Sequence, residues 1–239
     1  MSVFLVALDV PGEPEAMGLA ELLAPHVDGF KVGLELLMGE GPGIVRRVVS
    51  LGLPVFVDAK LHDIPNTVGR AAAQIGATGA RWVTVHASGG SEMMRAAVEA
   101  LGSGSDGTGV LAVTVLTSLD TVGLATIGVS HDLRSQVESL ARLAAGSGAE
   151  GVVCAVPEAA AVKQLGLGLV VATPGIRPTG SEAGDQKRIA TVTGAIDAGA
   201  DLMVVGRPVT AARDPAGVAR AIAEEIEEAV QAAPPATAG

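Results

Sequence analysis

The chain has 239 residues and carries 26 acids against 16 Lys and Arg, a formal net charge of −10. That balance excludes a general nucleic-acid binder, which needs a basic face, but leaves room for a phosphorylated small molecule held by a few local cations. The lone cysteine, Cys154, rules out an intrachain disulfide framework and a Cys-rich metal site, and in its run EGVVCAV it reads as a buried core thiol. The start MSVFLVALDV has no basic flank and is too short for a signal peptide. No apolar stretch reaches ~18 residues unbroken, so no membrane span is expected and the cytoplasm is the expected setting.

Taken in chain order, short apolar runs alternate with longer amphipathic ones. Strand SVFLVALD (2–9) precedes helix PEAMGLAELLAP (14–25), and strand DGFKVG (28–33) precedes one long helix, ELLMGEGPGIVRRVVSLG (35–52). Strand LPVFVDAK (53–60) leads to helix NTVGRAAAQIGATG (66–79), and strand RWVTVHA (81–87) to helix SEMMRAAVEALG (91–102). Strand GVLAVTVL (109–116) pairs in the pattern with helix LRSQVESLARLAAGSG (133–148), and strand EGVVCAV (150–156) with helix PEAAAVKQLG (157–166). Strand LVVATPGI (169–176) leads to helix DQKRIATVTGAIDAG (185–199), and strand DLMVVGR (201–207) to helix PAGVARAIAEEIEEAV (215–230).

Eight strands alternating with eight helices indicate an α/β fold whose parallel sheet closes into a (β/α)8 TIM barrel. An open doubly wound sheet is the alternative, but no Gly-rich dinucleotide fingerprint follows the first strand. Aromatics make up 2% of the chain, so Ala, Val, Leu and Ile must fill the core, as suits strands buried on both faces. One domain is expected over 1–231, with AAPPATAG (232–239) a frayed tail. GSGSDGTG (102–109) leads from helix to strand and belongs at the bottom face, while RPTGSEAGD (177–185) follows a strand and belongs at the top.

Chemistry in such a barrel sits at the C-terminal ends of the strands. There the sequence places Asp9, Lys31, Asp58, Lys60, His86, Arg177 and Arg207, with His62 and Asp63 just beyond the third strand. In an extended VDAKLHDIPNTV, Asp58 and Lys60 share a face and Lys31 reaches it from the neighbouring strand, giving a Lys–Asp–Lys array whose charges stabilise one another. A structural ion-pair network is the plain alternative for Asp-x-Lys, and Asp63, Pro65 and Asn66 read equally as a turn and helix cap. Arg177, Gln186 and Arg207, with backbone amides after the eighth strand, form a phosphate cradle where barrels usually carry one, the alternative being surface ion pairing by Arg207. His62 and His86 read as packing or hydrogen-bonding groups, His26 and His131 as loop or helix-end residues, and Trp82 as core or interface packing.

DAKLHDIPNTV closely resembles the signature of bacterial orotidine 5′-phosphate decarboxylases. The resemblance spans essentially the whole barrel: VALD at Asp9, FKVG at Lys31, VTVLTS at Thr117 and Ser118, TPGIRP…GDQKR at Arg177 and Gln186, and VVGRPVT at Gly206 and Arg207. Six segments in order are more specific than Asp-x-Lys-x-x-Asp alone, which a wider group of phosphosugar enzymes shares. The resemblance implies a cofactor-free, metal-free homodimer that decarboxylates orotidine 5′-phosphate to UMP, the last step of UMP synthesis.

It further implies that Lys60 protonates C6 and that Asp58 holds Lys60 near the departing carboxylate. Lys31 and Asp9 would bind the ribose, with Lys31 extending the catalytic array. Asp63, catalytic by the same analogy, and Thr67 would reach into the neighbouring subunit's site. Ile64, Thr117 and Ser118 would contact the substrate, the last two at the pyrimidine edge, and Arg177, Gln186, Gly206 and Arg207 would hold the phosphate. The loop between Arg177 and Gln186 would close over it. The competing readings are a metal-dependent sugar-phosphate decarboxylase or aldolase on the same barrel, and a silent phosphoryl-ligand-binding barrel. Retention of Asp58 and Lys60 argues against the silent one.

Overall fold

Val- and Leu-rich runs form eight parallel strands in the computed structural model, which describes residues 2–102, 107–177 and 190–232. The strands are β1 (Val3–Ala7), β2 (Gly29–Val32), β3 (Val55–Leu61), β4 (Trp82–His86), β5 (Gly109–Val113), β6 (Gly151–Val153), β7 (Val170–Pro174) and β8 (Leu202–Val205). Each pairs with the next in sequence and β8 returns to β1, closing the barrel. The helices are α1 (Glu13–Leu23), α2 (Leu34–Glu40), α3 (Gly43–Val49), α4 (Pro65–Gly76), α5 (Ser91–Leu101) and α6 (Thr121–Thr126), followed by α7 (Leu133–Gly146), α8 (Val156–Gln164), α9 (Val192–Asp197), α10 (Arg207–Thr210) and α11 (Pro215–Ala232). Of the expected tail, Ala232 is the last residue of α11 and 233–239 lie outside the described residues, as do 103–106 of the bottom loop and 178–189, which hold most of the 177–185 loop and Gln186. Among the described residues no helix is long and apolar enough to cross a membrane.

Strand periodicity divides the core in two. Val6, Val57, Val83, Val85, Val152 and Val205 face outward and pack against the helices. Leu5, Ala7, Phe56, Trp82, Leu111, Ala172, Leu202 and Val204 face inward and fill the barrel. Both faces are therefore apolar, which is why the strands read as near-continuous hydrophobic runs.

The helices differ from the expected pattern in four places, one being that the helix expected over 185–199 begins only at Val192, after Ala190 bridges Ile176. The long helix expected over 35–52 is two helices, because the chain turns at Gly41, whose φ of 69° favours glycine, and Pro42 cannot continue the α2 ladder. A short α6, capped by Asp120 accepting from the Gly123 amide, occupies the connection before α7. Another, α10, starts at Arg207 immediately after β8.

Charge at the bottom of the barrel serves stability. Arg81, just before β4, donates from both terminal nitrogens to Glu150, just before β6, at 2.8 and 2.6 Å. Glu150 also accepts from the indole of Trp82 at 3.0 Å, and the Arg81 guanidinium lies over that ring at 4.7 Å. Trp82 is thus core packing with its polar tip satisfied. A Cβ at Gly109 would collide with the Glu150 carboxylate, so glycine there leaves the room the pair needs. Glu150→Ala would strand Arg81 and the Trp82 N–H together. We predict that it lowers unfolding free energy by roughly 1–2 kcal/mol, discounted for partial exposure. Urea unfolding checks this, and an unchanged midpoint would contradict it.

Candidate active site

The top of the barrel is built around Asp58. Its carboxylate accepts from Lys60 Nζ at 2.5 Å and lies 3.8 Å from Lys31 Nζ, while Lys31 also donates to Asp9 at 2.8 Å. The chain of charge therefore runs Asp9, Lys31, Asp58, Lys60, contributed by the ends of β1, β2 and β3. Burial raises the Asp58 carboxyl pKa, but the two ammoniums and hydrogen bonds from Lys60 and Thr84 outweigh burial and hold it below the usual carboxylate range. Asp58 is consequently ionised at neutral pH, and it keeps two cations close together that would otherwise repel.

Local backbone brings Lys60 to this position, and not by simple alternation. Between paired positions β3 runs from Val57 to Leu61 while β4 runs from Val83 to Val85, so β3 bulges where it carries Asp58, Ala59 and Lys60. Lys60 has φ of 46°, in the left-handed region, where a non-glycine residue costs roughly 1–2 kcal/mol. Its amide donates to Thr84 Oγ1 at 2.8 Å, and that hydroxyl donates to Asp58 Oδ1 at 3.0 Å. Strain of this kind persists where the surroundings over-determine the conformation. His62 and His86 lie beside the array with ring centroids 5.2 Å apart. Burial first, then the charges of His62 and Lys60, push the His86 imidazole below its usual range despite the opposing Asp58, which leaves it neutral at physiological pH.

A cavity of about 580 Å³ opens over the array, a size suited to a small-molecule ligand. Asp9, Lys31, Asp58 and Lys60 line it together with Thr117 and the expected phosphate-binding residues Arg177, Gly206 and Arg207 after β7 and β8. Gly206 lies close to Asp9, because β8 pairs with β1. Cys154 is buried as expected and borders the cavity. Among the described residues, no three His, Cys, Asp or Glu side chains gather into a metal-holding group.

The remaining expected site residues are not brought to this cavity. Asp63, Ile64, Thr67 and Ser118 are exposed and absent from its wall, and Gln186 lies outside the described residues. Asp63 accepts from the Ile64 amide at 2.6 Å, and Pro65 opens α4, so this stretch makes the turn and helix start that its residue types suggest.

Residues 2–222 match the family described as Orotidine 5′-phosphate decarboxylase / HUMPS. The chain belongs to this family. It is 52% identical over 218 residues to the orotidine 5′-phosphate decarboxylase of Anaeromyxobacter sp. (strain K), a match covering 91% of this chain and 95% of that relative. Identity to the Halorhodospira halophila enzyme of that name is 49% over 226 residues, covering 94% and 96%. The crystal structure of orotidine 5′-phosphate decarboxylase from Lactobacillus acidophilus superposes with a TM-score of 0.83 at 35% identity, covering 95% of this chain and 99% of that one.

Within this decarboxylase-family barrel, two positions escaped the sequence reading. Thr84 is the inward-facing residue between Trp82 and His86, a polar group where the strand's alternation expects an apolar one. Gly33 is the other: a Cβ there would lie 2.5 Å from Asp9 Oδ1 and 2.7 Å from Lys31 Nζ. No methyl fits between the two charges. Gly33→Ala is therefore expected to separate the Asp9–Lys31 pair beyond roughly 4 Å, the limit of an ion pair, while leaving the barrel folded. A crystal structure of the variant with the pair still at hydrogen-bond distance would contradict this.

Proposed function

We propose that this chain decarboxylates orotidine 5′-phosphate to UMP and carbon dioxide, without a cofactor, at the cavity over Asp58. The observation that carries the reading is the arrangement itself: the Lys31–Asp58–Lys60 array lines one nucleotide-sized cavity together with Arg177, Gly206 and Arg207. The decarboxylase name carried by relatives at 52% and 49% identity supports the same substrate.

In this reading the phosphate sits against Arg177, Gly206 and Arg207, with Gln186 added from the segment that follows Arg177. Thr117 meets the pyrimidine edge, and Asp9 and Lys31 hold ribose hydroxyls. The bond from C6 to the carboxylate breaks with its electron pair left on C6. The Lys60 ammonium, fixed by Asp58, stabilises that pair and then transfers its proton to C6, and solvent reprotonates Lys60 after release. Phosphate binding far from C6 supplies energy that orders the array, so the phosphate contacts act on turnover as well as on affinity.

Loss of the substrate's ultraviolet absorbance on mixing with enzyme in EDTA tests the activity. Turnover should persist in chelator, and Lys60→Ala should lower kcat by at least about 10³-fold with far less change in nucleotide affinity. Absence of turnover, or its abolition by EDTA as a metal-dependent sugar-phosphate enzyme would show, overturns the assignment. A Lys60→Ala kcat within about tenfold of the parent removes Lys60 from the mechanism.

The array also works in a homodimer, in which Asp63 and Thr67 enter the partner's cavity. Their exposure away from their own cavity supports this, as does the exposed apolar side chain of Ile64 between them. Lys60→Ala and Asp63→Ala chains, each inactive alone, should then complement when dissociated, mixed and reassociated. Equal mixing makes about half the dimers mixed and restores about a quarter of all sites, given two-fold symmetry. Mixed dimers verified by mass spectrometry but silent would return Asp63 to its own chain's site.

A further inference from the structure

Thr84 is completely buried in the middle of β4, with both its neighbours Val83 and Val85 turned outward into the helix layer. Its hydroxyl performs two tasks at once. It accepts the Lys60 amide at 2.8 Å and donates to Asp58 Oδ1 at 3.0 Å. The Lys60 amide belongs to the residue whose backbone is held at φ 46°, and Asp58 Oδ2 takes the Lys60 ammonium at 2.5 Å. The three contacts close a ring: Lys60 backbone to Thr84, Thr84 to Asp58, Asp58 to the Lys60 side chain. In a bulged strand the Lys60 amide is displaced from the regular ladder, and the hydroxyl of the next strand meets it there.

We propose that Thr84 is a positioning residue for the decarboxylation, fixing the left-handed backbone of Lys60 and the orientation of the Asp58 carboxylate together. The inference rests on the assignment of Lys60 as the proton donor. A serine would keep both hydrogen bonds, whereas valine would keep the shape and lose both. Thr84 does not line the cavity, so the effect falls on the chemical step and leaves binding nearly intact. Removing the Thr84 donor also weakens the support of the Asp58 anion, leaving the ammoniums of Lys31 from β2 and Lys60 from β3 to hold it, with the neutral imidazole of His86 from β4 nearby. The acid limb of kcat should accordingly move to higher pH in the variant.

The experiment compares Thr84→Val, Thr84→Ser, Thr84→Ala and Lys60→Ala in steady-state turnover of orotidine 5′-phosphate across pH. The expected result is a fall in kcat of about 30-fold or more for Thr84→Val with KM changed less than about threefold, in line with the loss of a well-aligned reacting geometry. Thr84→Ser should recover kcat to within about fivefold of the parent. Should the valine variant not fold, the Ala and Ser variants carry the same comparison, differing by the hydroxyl alone. In a Lys60→Ala background the second substitution should add less than about twofold, because the two act through one group. A kcat near the parent's for Thr84→Val, or a serine variant as impaired as alanine, overturns the proposal, as does a loss confined to KM. These outcomes are distinct from failure of the underlying assignment, which Lys60→Ala reports by itself: an active Lys60→Ala enzyme removes the proton donor, while an inactive one beside an active Thr84→Val enzyme removes Thr84 alone.

Discussion

A buried carboxylate between two ammoniums sets the terms for the top of this barrel. Burial alone would push the Asp58 carboxyl up, and the Lys31 side chain beside it is also largely buried. Together with Lys60 they satisfy one another, and the cost of desolvating each is offset by the proximity of the others. The same array would be a liability if any member were displaced, since a stranded charge remains. The surrounding structure reflects that risk: Gly33 clears space for the Asp9–Lys31 contact, and Thr84 ties the Asp58 carboxylate to the Lys60 backbone.

The barrel separates this work from its own stability. At the N-terminal ends of the strands, Glu150 binds Arg81 and Trp82, and Asp201 takes the Val171 amide and the Lys163 ammonium, closing the bottom with satisfied pairs. At the C-terminal ends the charges converge on a cavity. The inward side chains Ala7, Phe56 and Ala172 line that cavity, while Trp82 packs in the inner core away from it. Strain is concentrated in the same place, at the bulge of β3 carrying Lys60.

Much of this was legible from residue order. The alternation of Val-rich runs with amphipathic ones foretells eight strands and their closure, and the strand ends point to Asp9, Lys31, Asp58, Lys60, Arg177 and Arg207. The Gly-Pro at 41–42 already contained the signal that splits α2 from α3, but the continuous apolar pattern on either side masked it. Alternation put Asp58 and Lys60 on one face correctly and for an incomplete reason, because the pairing depends on a bulge and a left-handed lysine that period-2 reasoning does not contain. Thr84 passed unnoticed because threonine is an ordinary strand residue, and the Arg81–Glu150 pair because 69 residues separate its members. Gly33 needed the positions of two other side chains before its role appeared.

The central claim is that Lys31, Asp58 and Lys60 act as one electrostatic unit and not as three separate contacts. A double-mutant cycle on Lys31→Met and Asp58→Asn, read as kcat/KM for orotidine 5′-phosphate, measures this directly. If the unit is real, the first substitution disables most of what the second would remove, and the double variant should be at least about tenfold more active than the product of the single losses predicts. Single losses that multiply to within about twofold of the double variant would contradict it, leaving Lys31 and Asp58 as independent contributors to the site.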